Sequence, residues 1–208
     1  MFVGGRLSPE WLLDAYRHGI FPWPLIADYP QMLWWSPDPR GVMEYDDFYC
    51  SKRLARTLRQ SRFRVTSDRA FAEVLAGCAM AQDRADATWL TPEMRAAYGE
   101  LHNLGYAHSV EVWLDDELVG GTYGVAVGGV FSAESMFHTA TDASKVALAT
   151  LLPHLRKQGF VMVDIQQLNS HTESLGGTEI PRRDYLQRLG AALRLQIKFG
   201  EIGETTSL

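Results

Sequence analysis

Apolar residues recur at helical spacing in several stretches of the chain, and capping residues mark where those stretches begin. The first opens at Ser8-Pro9-Glu10, because serine can cap free N–H groups, proline suits the first turn and an acid suits the positive helix end. Gly19 marks its end. The pattern predicts further helices at Ser51 to Ser61, Ala70 to Met80, Thr91 to Asn103, Asp142 to Gly159 and Pro181 to Gly190.

Alternation of apolar and polar residues with a period of two predicts strands in the middle of the chain. Asp115-Asp116 and Gly128-Gly129 are turn signals, so the consecutive strands are expected to form an antiparallel meander. A meander, then a helix, then another strand is the order expected of an α+β acyltransferase-like domain. The predicted strands are Phe63 to Ser67, His108 to Leu114, Glu117 to Val127, Val130 to Phe137, Phe160 to Gln166 and an edge strand at Leu193 to Phe199.

One segment shows neither the helical nor the strand period of apolar residues. Phe21 to Gly41 contains FPWP and LWWSPDPRG, and it holds five of the nine prolines. Such proline density argues against a regular helix or a central strand. We therefore expect an irregular loop whose tryptophans either lie over the core or form the wall of a binding site.

Length, composition and charge narrow the class of protein. With 208 residues, 46% hydrophobic and 22% charged, the chain suits one large globular domain or one domain with a small appendage. It shows no secretory signal, no apolar run that could span a bilayer, and two cysteines without metal or disulfide spacing, so we expect a cytoplasmic protein. A net charge of −5 argues against non-specific coating of nucleic acid, but a local patch could still bind phosphates.

The strand VDIQ carries polar side chains that an apolar strand does not need. Asp164 and Gln166 lie two residues apart and share a face, and burying them without partners is costly. More polar residues follow where the strand ends, which is the usual place for a site in sheet-and-helix domains. Asn169 to Thr172 could instead cap a short helix that ends at Gly176-Gly177. The pattern favours a functional site over a purely structural network.

Two further features of the strand region have a functional and a structural interpretation. Glu134 lies in VFSAESMF, where it could bind an ammonium group or face solvent on the hairpin. The glycines of Gly120-Gly121-Thr122-Tyr123-Gly124 mark either a β-bulge or the close approach of a ligand. No phosphate loop, GxSxG elbow, HExxH motif or cysteine with a suitable base is present in the sequence.

The helix that begins at Ser51 has a basic face. Lys52, Arg56 and Arg59 share that face, Arg53 lies beside them, and the helix contains no acidic residue. A solvated surface is the ordinary explanation of such a face. Because no acid compensates the charge, contact with phosphates is a fair alternative hypothesis.

Together these segments resemble the leucyl/phenylalanyl-tRNA–protein transferases. The matching stretches include LSPEWLLDAYRHGIFPW, LWWSPDPRGV, TWLTPEM, HSVEVW, ELVGG, ESMF and LNSHTESLG with IPRRDYL after it. The resemblance implies transfer of leucine or phenylalanine from aminoacyl-tRNA to the N-terminal arginine or lysine of an acceptor protein, which an N-degron adaptor and protease then degrade. It also implies a small N-terminal domain (residues 1–62), an acetyltransferase-like (GNAT-type) domain (residues 63–208), and no cofactor or membrane.

The resemblance further implies roles for individual residues. Asp164 and Gln166 match the acid and amide of the family's catalytic strand, which hold the incoming α-amine and help it lose a proton. Glu134 matches a glutamate near the aminoacyl group and the 3′ adenosine. The aromatic residues matched to the surroundings of that adenosine are Trp23, Trp89 and Tyr98, and the acceptor-stem patch matches Lys52, Arg53, Arg56 and Arg59.

Two departures and two alternatives qualify the resemblance. Thr122 replaces a commoner methionine and Ala133 a usual glycine, both near the expected amino-acid pocket, so the transferred residue is left open. An acetyl-CoA-dependent N-acetyltransferase would need a glycine-rich pyrophosphate loop before residue 142, where the sequence reads HTATDASK. A catalytically silent tRNA-binding adaptor is the other alternative, and the presence of Asp164, Gln166 and Glu134 argues against it.

Overall fold

In the part of the chain that the structure describes, seven strands form one large mixed sheet and three short strands form a small sheet near the N-terminus. The computed structural model describes residues 2–24, 32–81 and 90–203. Helices pack on the large sheet, so the α+β class predicted from the order of elements is confirmed. Within the described ranges, no helix is both long and apolar enough to cross a lipid bilayer.

The elements are numbered in chain order. The helices are α1 (Pro9–Arg17), α2 (Lys52–Arg59), α3 (Phe71–Met80), α4 (Pro92–Asn103), α5 (Ala143–Gln158), α6 (Ser170–Glu173) and α7 (Arg182–Ala192). The strands are β1 (Phe2–Val3), β2 (Phe21–Pro24), β3 (Met32–Trp35), β4 (Arg40–Met43), β5 (Arg64–Ser67), β6 (Ala107–Leu114), β7 (Glu117–Val127), β8 (Val130–His138), β9 (Met162–Gln166) and β10 (Gly177–Ile180).

The large sheet has the strand order β10-β4-β9-β8-β7-β6-β5. All of its neighbouring pairs are antiparallel except β8 and β9. A parallel pair needs a crossover connection, which α5 supplies. The predicted meander is confirmed, because β6, β7 and β8 pair consecutively and antiparallel.

Apolar side chains bury both faces of the large sheet. On one face, α2 and α5 cover a core that includes Val110, Val163 and Ile165. On the other face, α1, α3 and α4 cover a second core. The alternation predicted for β9 is confirmed, because Val163 and Ile165 enter the first core while Met162 joins α7 in a third, smaller cluster. Asp164 therefore lies on the face that α7 covers.

Several predicted helix starts are confirmed together with their caps. The Ser51 side chain accepts a hydrogen bond from Leu54 N at the start of α2, and the Thr91 side chain accepts one from Met94 N at the start of α4. Asn169 and Thr172 form a reciprocal capping box at α6. The capping interpretation of the residues after β9 is thus confirmed.

The prediction for the proline-rich segment was wrong in part. Phe21–Pro24 and Met32–Trp35 pair as strands of the small sheet, and Arg40–Met43 enters the large sheet between β9 and the edge strand β10. The prolines fit because β2 is an edge strand, where a missing N–H leaves no ladder bond unmade. Pro37 and Pro39 stand before β4 rather than inside it.

Two predictions near the C-terminus were also wrong. Helix α7 continues past Gly190 to Ala192, because Gly190 is not in the left-handed conformation that ends a helix. The segment Leu193 to Phe199 forms no strand; Phe199 is buried instead, and its carbonyl oxygen lies 2.6 Å from His154 Nε2. Strands β1 and β10 were not anticipated.

Two β-bulges lie side by side near the predicted site. In the β7–β8 ladder the register passes from Tyr123↔Ser135 to Gly124↔Ala133 and skips Glu134. In the β4–β9 ladder it skips Ile165. The parallel β8–β9 pairing ends at Ser132↔Asp164, so the two strands separate just where both are bulged. Bulges commonly re-aim side chains next to sites.

The glycines of β7 are explained by close packing and by bulges within the fold. A Cβ at Gly120 would lie 2.6 Å from the Ala143 Cβ, so α5 is what approaches this strand closely. The register also shifts in both ladders of β7, as the bulge interpretation predicted.

Candidate active site

Asp164 is a fully enclosed group of the site. It has 0% exposure and accepts hydrogen bonds from Arg40 Nε at 2.8 Å and Arg40 Nη2 at 2.6 Å, one to each carboxylate oxygen. Tyr185 OH donates to it at 2.9 Å, and the Gln166 backbone N–H donates at 2.9 Å. With both oxygens occupied, this carboxylate has no free lone pair directed at open space.

Arg40 owes its buried position to three elements. Its Nη1 donates to the Gly19 carbonyl at 2.8 Å, after α1, and its guanidinium lies 5.0 Å from the Phe21 ring and 4.4 Å from the Tyr185 ring. Burial alone would lower the pKa of Arg40, but the charge and hydrogen bonds of Asp164 outweigh it and raise that pKa. The Arg40 guanidinium therefore keeps its charge although it is buried.

Glu134 heads a second, more open network. Its Oε1 accepts from Tyr16 OH at 2.8 Å and from Gln166 Nε2 at 2.8 Å, and its Oε2 accepts from Tyr98 OH at 3.2 Å. The two tyrosine hydroxyls also lie 2.8 Å apart. Glu134 is partly buried among these groups, so the alternative that it faces solvent on the hairpin was wrong.

The surroundings of Glu134 change the proton affinity of its carboxyl group. Burial raises the pKa of Glu134 to about 7, with a further increase from the Asp164 charge, while the Tyr16 and Tyr98 hydroxyls and Arg40 oppose the rise. Glu134 can therefore change protonation state near neutral pH. A group with this property in a partly open site is suited to accept or return a proton.

Gln166 connects the two networks. Its backbone N–H binds Asp164, and its side-chain amide nitrogen binds Glu134 across the gap between β8 and β9. Its φ of 58° lies in the left-handed region, an unfavourable conformation for glutamine that the surrounding contacts must hold in place. Among the described residues, nothing donates a hydrogen bond to Gln166 Oε1, so that oxygen can accept one from a ligand.

The predicted basic helix presents its charges to solvent. Lys52, Arg53, Arg56 and Arg59 are all exposed on α2. Arg53 Nε pairs with Asp142 at 2.9 Å, so one of these charges is compensated by a residue outside the helix. The other three make no ion pair with any residue in the described part of the chain.

The remaining predicted site residues lie around this centre at different depths. Trp23 is 39% exposed, and its ring lies 6.2 Å from that of Phe21, which contacts Arg40. Tyr98 is fully buried, as is Thr122, whose hydroxyl donates to the Ser135 carbonyl at 2.9 Å. Ala133 lies in β8 beside Glu134, and Trp89 lies outside the described residues.

Comparison with known proteins assigns the chain to a family. The family model described as leucyl/phenylalanyl-tRNA protein transferase matches residues 42–190, and the model of that family's N-terminal domain matches residues 5–38. The chain belongs to this family. The resemblance drawn from the sequence motifs is confirmed.

Individual relatives agree with the assignment. The leucyl/phenylalanyl-tRNA–protein transferase of Pseudomonas syringae pv. syringae (strain B728a) is 53% identical, over 89% of this chain and 82% of its own length. That of Aromatoleum aromaticum is 55% identical, over 86% and 75%. Among solved structures, L-PGS from Bacillus licheniformis matches with a TM-score of 0.44 and 13% identity, over 64% of this chain and 48% of that one. A likeness this weak supports no further conclusion.

The sequence patterns missed three residues of the site in this family member. Arg40 stands in the proline-rich segment, where only its hydrophobic surroundings could have indicated burial. Tyr16 and Tyr185 look like ordinary apolar positions of two helices, yet their hydroxyls bind Glu134 and Asp164. No local pattern reveals a hydroxyl's partner more than 100 residues away along the chain, as for Tyr16 and Glu134.

Proposed function

We propose that this protein transfers leucine or phenylalanine from aminoacyl-tRNA to the α-amine of acceptor proteins that begin with arginine or lysine, which marks them for N-degron degradation. Family membership supports the reaction class, since relatives 50–55% identical bear that name. The observation that carries the proposal is the Glu134–Gln166 pair, 2.8 Å apart, at the gap between β8 and β9.

The gap suits an acyl donor. Beyond Ser132↔Asp164 the strand edges of β8 and β9 no longer pair with each other, so their backbone groups can bind a ligand inserted between them. A parallel strand pair that separates at a bulge beside the α5 crossover is the basis on which we propose an acetyltransferase-like (GNAT-type) domain. The aminoacyl ester would lie in this gap, with its side chain toward the apolar interior near Thr122 and Ala133.

The chemistry needs little beyond orientation and proton transfer. An aminoacyl ester is already activated, so the neutral amine nitrogen attacks the ester carbonyl and the bond to the tRNA ribose oxygen breaks. That oxygen leaves as a hydroxyl by taking the second proton, which the nitrogen loses as the amide forms. The incoming ammonium must first lose a proton. Gln166 Oε1 would accept a hydrogen bond from it, and Glu134 would accept the proton. No step requires a cofactor.

Asp164 has a different part in this proposal from the one that the family resemblance implied. Since both of its oxygens are engaged by Arg40, Tyr185 and the Gln166 N–H, it would act through Gln166 rather than on the amine. Its hydrogen bond to the backbone holds Gln166 in its left-handed conformation. Asp164 is then a positioning residue and Gln166 is the group that contacts the substrate.

The tRNA would be held at two places. The exposed cations of α2 are suited to the phosphates of the acceptor stem, whose binding depends on charge rather than sequence. Trp23 would provide a face on which the terminal adenine stacks, a contact worth about 1–3 kcal/mol. Tyr98 is buried, so it would not stack on the adenine but would act through its hydrogen bond to Glu134.

Two observations favour a domain boundary close to residue 40 over the predicted one at residue 62. Strand β4 belongs to the large sheet, and α2 packs against α5. The two family models match residues 5–38 and 42–190. We therefore propose a small N-terminal domain of about forty residues before the transfer domain.

Transfer of labelled leucine and phenylalanine from charged tRNA to peptides beginning with arginine or lysine tests the proposal. We expect labelled peptide whose mass increases by one residue, and no product when the charged tRNA is omitted. A panel with other charged tRNAs and other N-termini would reveal altered specificity at the Thr122 and Ala133 pocket. Binding of tRNA without transfer to any peptide would instead identify the silent adaptor.

A further inference from the structure

Three basic side chains meet beyond the gap between β8 and β9. His138 ends β8, Lys145 lies in the first turn of α5, and His171 lies in α6, which follows β9. Ser144 Oγ lies 3.3 Å from His138 Nδ1, which ties the end of β8 to the start of α5. Burial lowers the pKa of His171, and the charges of Lys145 and His138 lower it further, so both lie close to its ring. We call His138, Lys145 and His171 the mouth cluster.

The mouth cluster retains positive charge after its ion pairs are counted. Asp142 is the acid that pairs with Lys145, at 3.9 Å, but the same carboxylate already pairs with Arg53 at 2.9 Å. Two cations therefore share one anion. The ring of His171 and Nε2 of His138 have no hydrogen-bond partner in the described part of the chain, so their nitrogens are open to a ligand.

The shared carboxylate joins the mouth cluster to the basic face of α2. Arg53 belongs to that face, so Asp142 lies between the cations of α2 and Lys145. On its other side the cluster leads back to the reacting groups. His138 is four residues beyond Glu134 in β8, which is about 13 Å along an extended strand. The cations thus form a continuous path from α2 to the gap beside Glu134.

We infer that the mouth cluster binds the phosphodiester groups that precede the terminal adenosine of the aminoacyl-tRNA. The inference rests on the proposed aminoacyl transfer. The proposed contacts at α2 hold the stem and Trp23 holds the terminal base, which leaves the phosphates between them without a partner. Lys145 supplies a charge for a phosphate oxygen, and the open imidazole nitrogens of the two histidines donate hydrogen bonds. Phosphate contacts set the register of the strand without reading its bases.

Two aminoacylated trinucleotides that differ only in backbone charge test this inference. Both have the sequence CCA; one has natural phosphodiester linkages and the other has uncharged methylphosphonate linkages. We expect wild type to favour the charged donor about tenfold in KM, with kcat changed less than about twofold. Lys145→Gln should reduce that preference to about threefold and leave the KM for the acceptor peptide within about twofold.

The pH dependence gives a second readout, which a purely structural role of His171 would not produce. The lowered pKa leaves its ring largely neutral near neutral pH, whereas a bound phosphate favours the charged imidazole. Binding should therefore take up a proton, and the preference for the charged donor should fall as the pH rises from about 6 to about 8. His171→Gln should reduce this pH dependence, and an unchanged dependence would exclude His171 from the phosphate contact.

Lys157→Gln is the matched control, since Lys157 is an exposed lysine in the last turn of the same helix. It should keep the wild-type preference. Arg56→Ala should weaken the use of intact tRNA but keep the preference between the trinucleotides, because these lack the stem that α2 is proposed to bind.

Equal KM values of wild type for the two donors would overturn the inference and leave the proposed function intact. Equal losses of Lys145→Gln with both donors would also overturn it, because they would reveal a general defect. Transfer from intact tRNA alone would overturn it too, since contacts to the 3′ strand should suffice to hold the charged trinucleotide. Absence of transfer from every donor, intact charged tRNA included, would overturn the proposed function and the inference together.

Discussion

Two carboxylates on neighbouring strands are used in opposite ways. Asp164 on β9 is sealed, bound by a buried guanidinium, a tyrosine hydroxyl and a backbone N–H. Glu134 on β8 is partly open, and its partners are neutral hydroxyls and an amide. The first is fixed by an ion pair with Arg40, whereas burial raises the pKa of the second to about 7. The ligands around each group, rather than its residue type, decide whether a carboxylate fixes structure or exchanges protons.

The desolvation cost of the site falls on the buried pair of Arg40 and Asp164. A buried ion pair is expensive to desolvate and contributes little net stability, but it is rigid once formed. Rigidity at Asp164 is what keeps Gln166 in an unfavourable backbone conformation against Glu134. Asp164 is fixed and holds Gln166 in place, while Glu134 can take up and release a proton. The site therefore positions its proton acceptor without fixing the proton.

The largest expected effect comes from removing the charged partner of the buried Asp164. Arg40→Ala leaves the Asp164 charge buried without its counter-charge, so the free energy of unfolding should fall by about 3–5 kcal/mol in urea denaturation. Arg183→Ala is the control, since that side chain is 90% exposed and should change stability by less than about 0.5 kcal/mol. A loss below about 1 kcal/mol for Arg40→Ala would mean that Asp164 is not held as described.

The next largest effect removes the titrating group. Glu134→Gln should lower kcat by about 100-fold or more, because general-base catalysis contributes at least that factor. In wild type the carboxyl is protonated below its pKa, so the rate should rise with pH through about 7, in addition to the ionisation of the peptide amine. The variant should lose that inflection and keep only the inflection of the amine, measured with acceptors of different amine pKa. An unchanged pH profile would exclude Glu134 as the proton acceptor.

A smaller change sharpens the same contrast by weakening one ligand of Glu134. The Tyr16 hydrogen bond lowers the pKa of Glu134, so Tyr16→Phe should raise that pKa and move the inflection of the rate to higher pH. Tyr185→Phe, which alters only the Asp164 side, should leave the inflection where it is. Equal shifts in the two variants would show that the networks are not separate.

The smallest effect lies outside both carboxylates, on α2. Arg56→Ala should weaken tRNA binding by about three- to tenfold at low salt and reduce the salt dependence by about one charge, with kcat unchanged. Arg53→Ala should weaken binding less, because that side chain already pairs with Asp142. Filter binding at several salt concentrations measures both. A lower kcat with unchanged affinity would contradict a role confined to binding.

Local sequence patterns predicted most helices and strands, and they predicted the Asp164 and Gln166 part of the site. The alternation of β9 put Asp164 and Gln166 on one face, because a period of two is a property of the strand alone. The caps at Ser51 and Thr91 are local for the same reason. Strand β4 was missed because the proline density of the preceding segment dominated the prediction, although the prolines end before Arg40.

The other half of the site depends on contacts that no local pattern contains. Arg40 meets Asp164 across 124 residues of sequence, and Tyr16 meets Glu134 across 118. The bulge at Glu134 exists only relative to its neighbour β7, since a register shift is a property of two strands. Strand pairing also decided that Glu134 faces the site and not solvent, which the strand pattern had left open.

The insertion of β4 between β9 and β10 has a consequence for protein synthesis. Residues 40–43 are made early, but both of their neighbouring strands, and Tyr185 as well, emerge from the ribosome more than a hundred residues later. Until then Arg40 has no carboxylate to meet, and closing so long a loop is slow. A nascent chain therefore lacks an assembled site for almost the whole of its translation, while it is surrounded by the charged tRNAs that the finished protein is proposed to consume.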